Sequence, residues 1–206
     1  MSAAQAGAGT SVAEPPAHPA GRRELPDEVL VARASGGDVY AFERLVRRYQ
    51  QQMYLVAFRL VGDRDDAEDA TQNAFIAVWR KLPEFRAEAS FSTWLYRIVT
   101  NHSLNLVRAG ARRQQHADLS TLTGENEPAS QPPGPQQHAE QSALLAAARA
   151  ALAGMPADLR VCWLTREVDR CSYQEVATIA GVSIDTARGR IYRARQQLAQ
   201  ALEAWR

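Results

Sequence analysis

The stretch YQEVATIAGVSIDTARGRIYRARQQL, from Tyr173 to Leu198, decides the fold of this chain. Its second half carries apolar residues at steps of three and four, which mark one face of a helix: Ile184, Ala187, Ile191, Ala194 and Leu198. Its arginines fall off that face: Arg188, Arg190, Arg193 and Arg195. The second half therefore predicts a helix with one apolar side and one basic side.

A turn precedes this helix. Ala177 stands four residues before Gly181, which are the positions of the small residue and the turn glycine in a helix-turn-helix unit. Ser183 can cap the second helix. The segment is thus predicted to be a helix-turn-helix whose second helix can enter a DNA major groove. An ordinary helical hairpin with a solvated basic face is the alternative.

Composition excludes several classes of protein. The chain has 206 residues, of which 46% are hydrophobic and 23% charged, as is typical of one large or two small globular domains. It has no apolar run of membrane-spanning length and no secretory signal, so we expect a cytoplasmic protein. Its net charge is only +1, so we expect a partner to hold it on DNA.

Catalytic and metal-binding patterns are missing from the sequence. No Ser/His/Asp order, phosphate loop or metal-ligand spacing is present, so we expect no enzymatic activity, no cofactor and no metal. Cys162 and Cys171 have no histidine near them in sequence and are expected to be buried or incidental thiols. His102 is expected to be a half-buried packing residue rather than a base.

Two segments rich in alanine, glycine or proline divide the chain. Residues 1–23 are predicted to be a disordered tail. Residues 109–139 contain four of the ten prolines and are predicted to be a flexible linker. The predicted domains are therefore residues 24–108 and 140–206. No segment alternates with period two, so the predicted fold class is all-α, with two small helical domains.

Helical periodicity predicts three long helices in the first domain and four helices in the second. The first helix follows an apolar stripe from Phe42 to Leu60, with Asp38 as its cap and Gly62 at its end. The remaining helices are predicted at residues 65–82, 92–108, 141–153, 158–168, 173–180 and 183–205.

An acidic cluster opens the second predicted helix, in the segment DRDDAEDATQN at residues 63–73. Helix-dipole complementarity can account for Asp65 and Asp66, because an acid in the first turn stabilises a helix by ~0.3–1 kcal/mol. It accounts less well for Asp69 and Gln72, which lie further along. The cluster indicates an acidic face aimed at a basic partner, with the dipole explanation as the alternative.

A polar stripe runs along the third predicted helix at steps of four, four and three: Arg97, Asn101, Asn105 and Arg108. Asparagine is a poor helix former, so two of them on one face require a reason. Asparagine can hydrogen-bond base edges and arginine can reach phosphates. The stripe indicates contact with nucleic acid, and a solvated face is the alternative.

The loop between these two helices combines polar groups with two aromatic residues: Phe85, Arg86, Glu88, Ser90 and Phe91. Such a combination suits the capture of an unstacked base. Taken singly, each phenylalanine is better explained as an anchor that fixes the loop to the core.

Together these pieces resemble the extracytoplasmic-function (ECF) sigma factors of the bacterial sigma-70 family. The resemblance covers about residues 26–108 and 141–202. GDVYAFERLVRRYQQQMYLVAFRLVGD resembles region 2.1 of the family, DAEDATQNAFIAVWRKLPEFR region 2.2, and FSTWLYRIVTNHSLNLVR region 2.4. MPADLRVCWLTREVDRCSYQEVATIAGVSIDTARGRIYRARQQL resembles region 4.

The resemblance implies a sigma factor that binds core RNA polymerase and directs promoter-specific initiation. It places polymerase binding on the acidic helix: Asp66, Glu68, Asp69, Gln72 and Phe75. It places recognition and melting of the −10 element on the loop and the third helix: Phe85, Arg86, Ser90, Phe91, Arg97, Asn101, Asn105 and Arg108. It places recognition of the −35 element on the helix-turn-helix: Ser183, Asp185, Thr186, Arg188, Arg190, Arg193 and Arg195.

The implied partners are core RNA polymerase, promoter DNA and an anti-sigma factor, with no membrane insertion and with location at the nucleoid when polymerase is bound. A stand-alone helix-turn-helix regulator is the alternative function, but it leaves the first domain without a role. Arg188 and Arg190 are expected to read bases and Arg193 and Arg195 to hold phosphates, because the start of a recognition helix lies deepest in the groove.

Two positions depart from the family pattern. The recognition helix reads TARGR, where relatives commonly carry a larger aliphatic residue after the threonine and a serine before the final arginine. Gly189 should cost about 1 kcal/mol in a helix interior. Because of these departures, the fold is expected to be that of the family, but its −35 base contacts are not carried over base by base, and the glycine permits close approach of the backbone to DNA.

Overall fold

The computed structural model describes residues 25–117 and 136–203. These residues form helices and turns and contain no strand, in agreement with the predicted all-α fold. The predicted tail and the middle of the predicted linker lie outside the described residues. The helices are α1 (Asp27–Ser35), α2 (Val39–Val61), α3 (Arg64–Lys81), α4 (Phe91–Ala117), α5 (Gln136–Ala153), α6 (Ala157–Trp163), α7 (Tyr173–Ala180) and α8 (Ile184–Ala201).

The ends of α2 confirm the signals in its sequence. The side chain of Asp38 accepts a hydrogen bond from the backbone N–H of Ala41 at 3.0 Å. Gly62 adopts a left-handed conformation at φ 84°, which glycine enters without a steric penalty, and its N–H caps the carbonyl of Phe58. Local cap chemistry therefore fixes both ends of this helix.

The first domain packs α1 to α4 around one core. Its largest fully buried side chains come from all four helices and the turn after α3: Leu30, Leu45, Met53, Val78, Leu82, Leu95 and Val99. α1 was not predicted, because its nine residues are too few for periodicity to separate it from a loop. It is held by the carboxylate of Asp27, which binds the guanidinium of Arg48 and the hydroxyl of Tyr49 on α2.

Helices extend into the predicted linker, residues 109–139, from both of its ends. α4 continues to Ala117, and α5 already begins at Gln136, so part of residues 109–139 is helical. Residues 109–117 contain one glycine and no proline, so nothing in this segment stops the helix. The three clustered prolines at residues 132–135 precede α5.

The second domain contains the predicted helix-turn-helix. Gly181 is left-handed at φ 66°, and the N–H of Val182 donates to the carbonyl of Ala177 at 3.0 Å. Ser172 and Glu175 form a capping box at the start of α7, and the hydroxyl of Ser183 caps α8 through the N–H of Thr186. The turn glycine, the small residue and the cap are thus confirmed.

The two domains pack against each other, which the sequence did not predict. α7 lies on α4, and three buried residues of the second domain join the apolar core of the first: Val161, Leu164 and Ile179. Arg59 on α2 forms an ion pair with Asp169 at 2.9 Å. The hydroxyl of Thr93 on α4 donates to the carboxylate of Glu175 on α7 at 3.4 Å.

Candidate polymerase and nucleic-acid interfaces

The acidic face of α3 is open to solvent. Glu68, Asp69 and Gln72 are exposed and Asp66 is half-buried. Asp63, one residue before the helix, supplies the N-terminal cap by accepting a hydrogen bond from the N–H of Asp66. None of the three acids forms an ion pair with another described residue. The acids are therefore free to meet a cationic partner.

Phe75 does not belong to this face, and its assignment to polymerase contact is corrected. It is 8% exposed and packs in the core, whereas its neighbour Ile76 is 50% exposed. At 100° per residue, Ile76 follows Asp69 and Gln72 along one side of the helix. The face thus has an apolar residue among its acids, and counting four residues on from Gln72 would have found it.

The polar stripe of α4 also faces solvent. Its four members, Arg97, Asn101, Asn105 and Arg108, are all exposed. The opposite side of the helix supplies the buried residues Leu95 and Val99. The two asparagines have no hydrogen-bond partner among the described residues, so the fold does not explain why these poor helix formers lie in the middle of α4.

The loop before α4 borders a pocket of about 350 Å³, a size in the range of small-ligand sites. The rings of Phe85 and Trp94 lie on one side of it, with centroids 4.9 Å apart. Arg86 and Arg97 supply cationic groups to the lining, and Glu84 and Glu88 supply carboxylates. Ala87 holds the loop in a left-handed conformation at φ 54°, which is uncommon for a residue with a side chain. The pocket can accept a planar apolar group beside charged groups of both signs.

Two predicted loop contacts have structural roles instead. Phe91 is 5% exposed and packs against Tyr49 and Trp94, so it anchors the loop to the core. Ser90 caps α4: its hydroxyl oxygen accepts a hydrogen bond from the N–H of Thr93 at 3.1 Å. Trp94, which was not predicted as a site residue, takes the place of Phe91 beside the pocket.

The recognition helix α8 has its arginines distributed among acidic neighbours. Arg188 lies 3.5 Å from Asp185, Arg190 3.2 Å from Asp158, and Arg195 2.6 Å from Glu167. Arg193 has no acidic partner among the described residues. Asp185 and Thr186 are exposed at the start of the helix, and Ser183 serves as its cap.

Arg188 and Arg190 differ in exposure and in their neighbours. The Arg190 side chain is 21% exposed and pairs with Asp158 on α6, so it is less accessible to DNA than Arg188, and its reading of bases stays a prediction. Arg188 is 61% exposed and lies over the ring of Tyr173, 5.4 Å from its centroid, with Arg166 4.5 Å from the same ring. A cation near an aromatic face is attracted to it, so Tyr173 helps to orient Arg188.

The thiols and the histidine offer little chemistry. Burial raises the pKa of Cys162, and burial with the nearby Glu175 and Asp169 carboxylates raises the pKa of Cys171 to about 11. Both thiols are therefore protonated near neutral pH and weakly nucleophilic. His102 is half-buried as expected, and burial followed by the Lys81 charge lowers its pKa.

The packed second domain reaches the rim of the loop pocket. Thr178 of α7 is among the residues that line it.

Burial raises the pKa of Asp169, which pairs with Arg59 across the interface, even though the Arg59 charge lowers it, so desolvation outweighs the ion pair. An ion pair with this balance adds little stability. Apolar residues of the second domain also take part in the interdomain contact, as Val161, Leu164 and Ile179 show.

Across residues 25–117 and 136–203, no group of three or more histidine, cysteine, aspartate or glutamate residues is placed to hold a metal ion. In the same ranges, no helix combines the length and the apolar character needed to cross a membrane.

Comparison with known proteins identifies the class to which these two domains belong. The family model for Sigma-70 region 2 matches residues 45–113, and the model for Sigma-70, region 4 matches residues 145–198. These domains define a sigma factor, a subunit that binds core RNA polymerase and directs promoter-specific initiation without being an enzyme. The chain belongs to the sigma-70 family and is of the ECF type.

Relatives extend over most of the chain. The RNA polymerase sigma-H factor of Pseudomonas aeruginosa is 33% identical over 86% of this chain and 94% of its own length. The ECF RNA polymerase sigma-E factor of Escherichia coli K12 is 35% identical over 85% of this chain and 93% of its own length. ECF sigma factors act in the cytoplasm with RNA polymerase, and this chain is placed there as a member of the group.

Two solved structures share the fold. CnrH, solved in complex with the cytosolic domain of CnrY, superposes with a TM-score of 0.63 at 26% identity, covering 86% of this chain and 97% of CnrH. The sigma factor RpoE of Bartonella quintana, solved with the anti-sigma factor NepR, gives a TM-score of 0.61 at 24% identity, covering 80% of this chain and 98% of RpoE.

Proposed function

We propose that three separate surfaces of this sigma factor perform core binding, −10 melting and −35 recognition. The observation that carries the proposal is the solvent-facing stripe of Arg97, Asn101, Asn105 and Arg108 beside a pocket lined by Phe85 and Trp94. Packing within the domain does not require the stripe, and the rings of Phe85 and Trp94 line the pocket in addition to packing against the core. Both suit a single DNA strand whose bases have left the duplex.

At the −10 element, one base of the opened strand enters the loop pocket. Unstacking a base costs a few kcal/mol, and contact with an aromatic ring returns roughly 1–3 kcal/mol. The asparagine amides of α4 then contact neighbouring bases, and Arg97 and Arg108 hold the strand through its phosphates. Melting is favoured because these contacts exist only for the open strand.

At the −35 element, α8 enters the major groove from its N-terminal end. Asp185, Thr186 and Arg188 lie in its first two turns, and Arg188 is oriented by the Tyr173 ring. Arg193 and Arg195 lie further along and contact phosphates, although Arg195 must first leave Glu167. This surface is small and the net charge of the chain is low, so α8 alone binds DNA weakly.

Core polymerase supplies the missing affinity through α3. The exposed acids Glu68 and Asp69, with Asp66 at the edge and Ile76 among them, form a face for a basic helical element of the polymerase. We further infer that an anti-sigma factor binds this chain, as one does the Bartonella quintana protein of the same fold, and that the chain is at the nucleoid when polymerase is bound.

The proposal requires the two domains to separate. Elements centred about 25 base pairs apart lie roughly 85 Å apart on straight B-form DNA. In the structure α4 and α7 are in direct contact, so the two reading surfaces cannot reach both elements at once. Residues 118–135 can span at most about 60 Å, which, added to the widths of the domains, is enough to bridge the elements.

The experiment that tests the proposed function is transcription in vitro with purified core polymerase on genomic DNA, followed by mapping of start sites. Start sites that share −10 and −35 sequences and depend on this chain are expected. A chain that shifts the same promoters without polymerase, and adds no start sites with it, contradicts the proposal and favours a stand-alone regulator.

Replacing Asn101 and Asn105 together by alanine is expected to impair promoter opening more than the initial closed complex, because their amides contact only unpaired bases. Permanganate reactivity of the melted strand should fall while protection of the −35 element persists. Gln50→Ala with Gln51→Ala, which removes two exposed amides from α2, is the matched control. Equal loss of both signals would place the asparagines in general affinity instead.

Arg188→Ala is expected to change which −35 sequences are used, because a base-reading arginine contributes roughly 1–3 kcal/mol of discrimination. Arg193→Ala should weaken all promoters alike and lower the salt slope of binding by about one. Activity of each variant on a library of −35 sequences measures the difference. Identical sequence preferences in the two variants would refute the division of roles.

A further inference from the structure

The centre of the exposed face of α8 is a glycine. The buried residues Ala187, Ile191 and Ala194 define the side of the helix that faces the core. At 100° per residue, Gly189 lies almost directly opposite that side. Around it project Asp185, Tyr192, Arg193 and Gln196, all exposed. The Nε of Arg193 donates to the carbonyl of Gly189 at 3.4 Å, so the floor of the notch between these side chains is backbone whose carbonyl is already paired.

Nothing inside the protein requires a glycine here. A Cβ atom added to Gly189 would meet nothing within 4 Å. Its φ is not among the left-handed glycines, which within the described residues are Gly37, Gly62 and Gly181. It lies neither at a helix end nor at a helix crossing. A helix-destabilising residue without an internal reason points to something outside the protein that needs the space.

One wall of the notch is aromatic. Tyr192 is 62% exposed, although it is a large residue with an apolar ring. Gln196 lies one turn further on, and its amide Nε2 donates to the Tyr192 hydroxyl at 3.1 Å, which restrains the ring beside the glycine. The Cα of Gly189 and the ring of Tyr192 present carbon atoms, and the Gly189 carbonyl is already bonded to Arg193, so the open space beside Gly189 suits an apolar group of about the size of a methyl.

We propose that the notch formed by Gly189 and Tyr192 receives the 5-methyl group of one thymine in the −35 element. The inference rests on the proposed reading of that element by α8. Thymine is the base that presents an apolar group in the major groove, and apolar contact with its methyl is a recognised mode of reading. Gly189 then sets how deeply α8 enters the groove, and Tyr192 closes one side of the contact.

The test removes a methyl group from the DNA in one arm and adds one to the protein in the other. On a mapped −35-dependent promoter, each thymine of the −35 element is replaced singly by uracil, which lacks only the methyl. One replacement should lower initiation by the unaltered protein about fourfold, the equivalent of a methyl group removed from an apolar contact. Gly189→Ala fills the notch with a methyl of its own, so it should lower initiation on the thymine template about tenfold and should no longer favour thymine over uracil there.

Stability and controls separate this effect from misfolding. Gly189→Ala should raise the melting temperature by about 2–4 °C, because alanine favours the helix. Gly110→Ala in α4, where an added Cβ also meets nothing within 4 Å, should raise it similarly and keep the thymine preference. Tyr192→Ala should lose the preference without gaining stability.

Three outcomes would overturn the proposal: no thymine whose methyl matters, an unchanged thymine preference in Gly189→Ala, or a melting temperature that falls in that variant. Failure of the proposed function looks different. In that case the unaltered protein would initiate equally well when the whole −35 element is scrambled, and the proposal would fall with it.

Discussion

A chain in which Asp66 and Asp69 are both replaced by arginine is expected to lose binding to core RNA polymerase while it remains folded. Both acids belong to the α3 face, neither pairs with another described residue, and reversal of two charges turns attraction to a basic partner into repulsion. Capture of purified core enzyme by the tagged chain measures the loss. We expect no detectable retention at physiological salt.

The fold should tolerate the change. Asp66 lies in the first turn of α3, where a carboxylate stabilises the helix by ~0.3–1 kcal/mol, and Asp69 lies beyond that turn. The cap itself comes from Asp63, which is untouched. Thermal unfolding followed by circular dichroism should therefore show only a small decrease in melting temperature.

A charge-matched control separates a local effect from a general one. Glu28→Arg with Glu203→Arg makes the same change in net charge at exposed positions on α1 and after α8. This control should retain polymerase binding. If the folded Asp66/Asp69 variant binds as well as the control does, then the acidic face of α3 is not the docking surface.

Local signals explain why much of the fold could be predicted from the sequence. Asp38 and Gly62 set the two ends of α2 through contacts within a few residues along the chain. Ala177, Gly181 and Ser183 shape the helix-turn-helix in the same way. Such contacts depend on residue type and spacing alone. The polar stripe of α4 was predicted for the same reason, since a regular period places its members on one face.

The errors share a different cause, because they depend on contacts between distant residues. Phe75 lies one residue before the exposed position Ile76 on α3, and its side chain packs in the core of the first domain. Phe91 packs against Tyr49, which lies on another helix. Residue type gave the correct chemistry at these positions, but the direction of each side chain is set by packing that the sequence pattern does not contain.

The packing of the two domains is the largest feature that sequence reasoning missed. Periodicity gives each helix one apolar face, but it does not show which side of one domain packs against the other domain. The contact buries Ile179 and places Thr178 at the rim of the loop pocket. The docked arrangement thus covers part of the surface that is proposed to capture a base, so docking and promoter binding compete.

A reversible covalent bridge between the domains is therefore expected to abolish transcription. Arg59→Cys and Asp169→Cys, in a chain whose native Cys162 and Cys171 are replaced by alanine, place two thiols across the interface where the ion pair now lies at 2.9 Å. A bismaleimide with a disulfide in its spacer would join them. The bridged chain should initiate almost no transcription at −35-dependent promoters, and reduction of the spacer should restore it.

The control bridges two positions within one helix. Glu43→Cys and Arg47→Cys lie one turn apart on α2, so the same reagent joins them without linking the domains. This chain should transcribe equally well before and after reduction, because its domains can still separate. Domains held in contact cannot place their reading surfaces on two elements roughly 85 Å apart. If the bridged interdomain variant transcribes as well as its reduced form, then the protein does not read the −10 and −35 elements simultaneously. The assignment of α4 and α8 to separate promoter elements is then wrong.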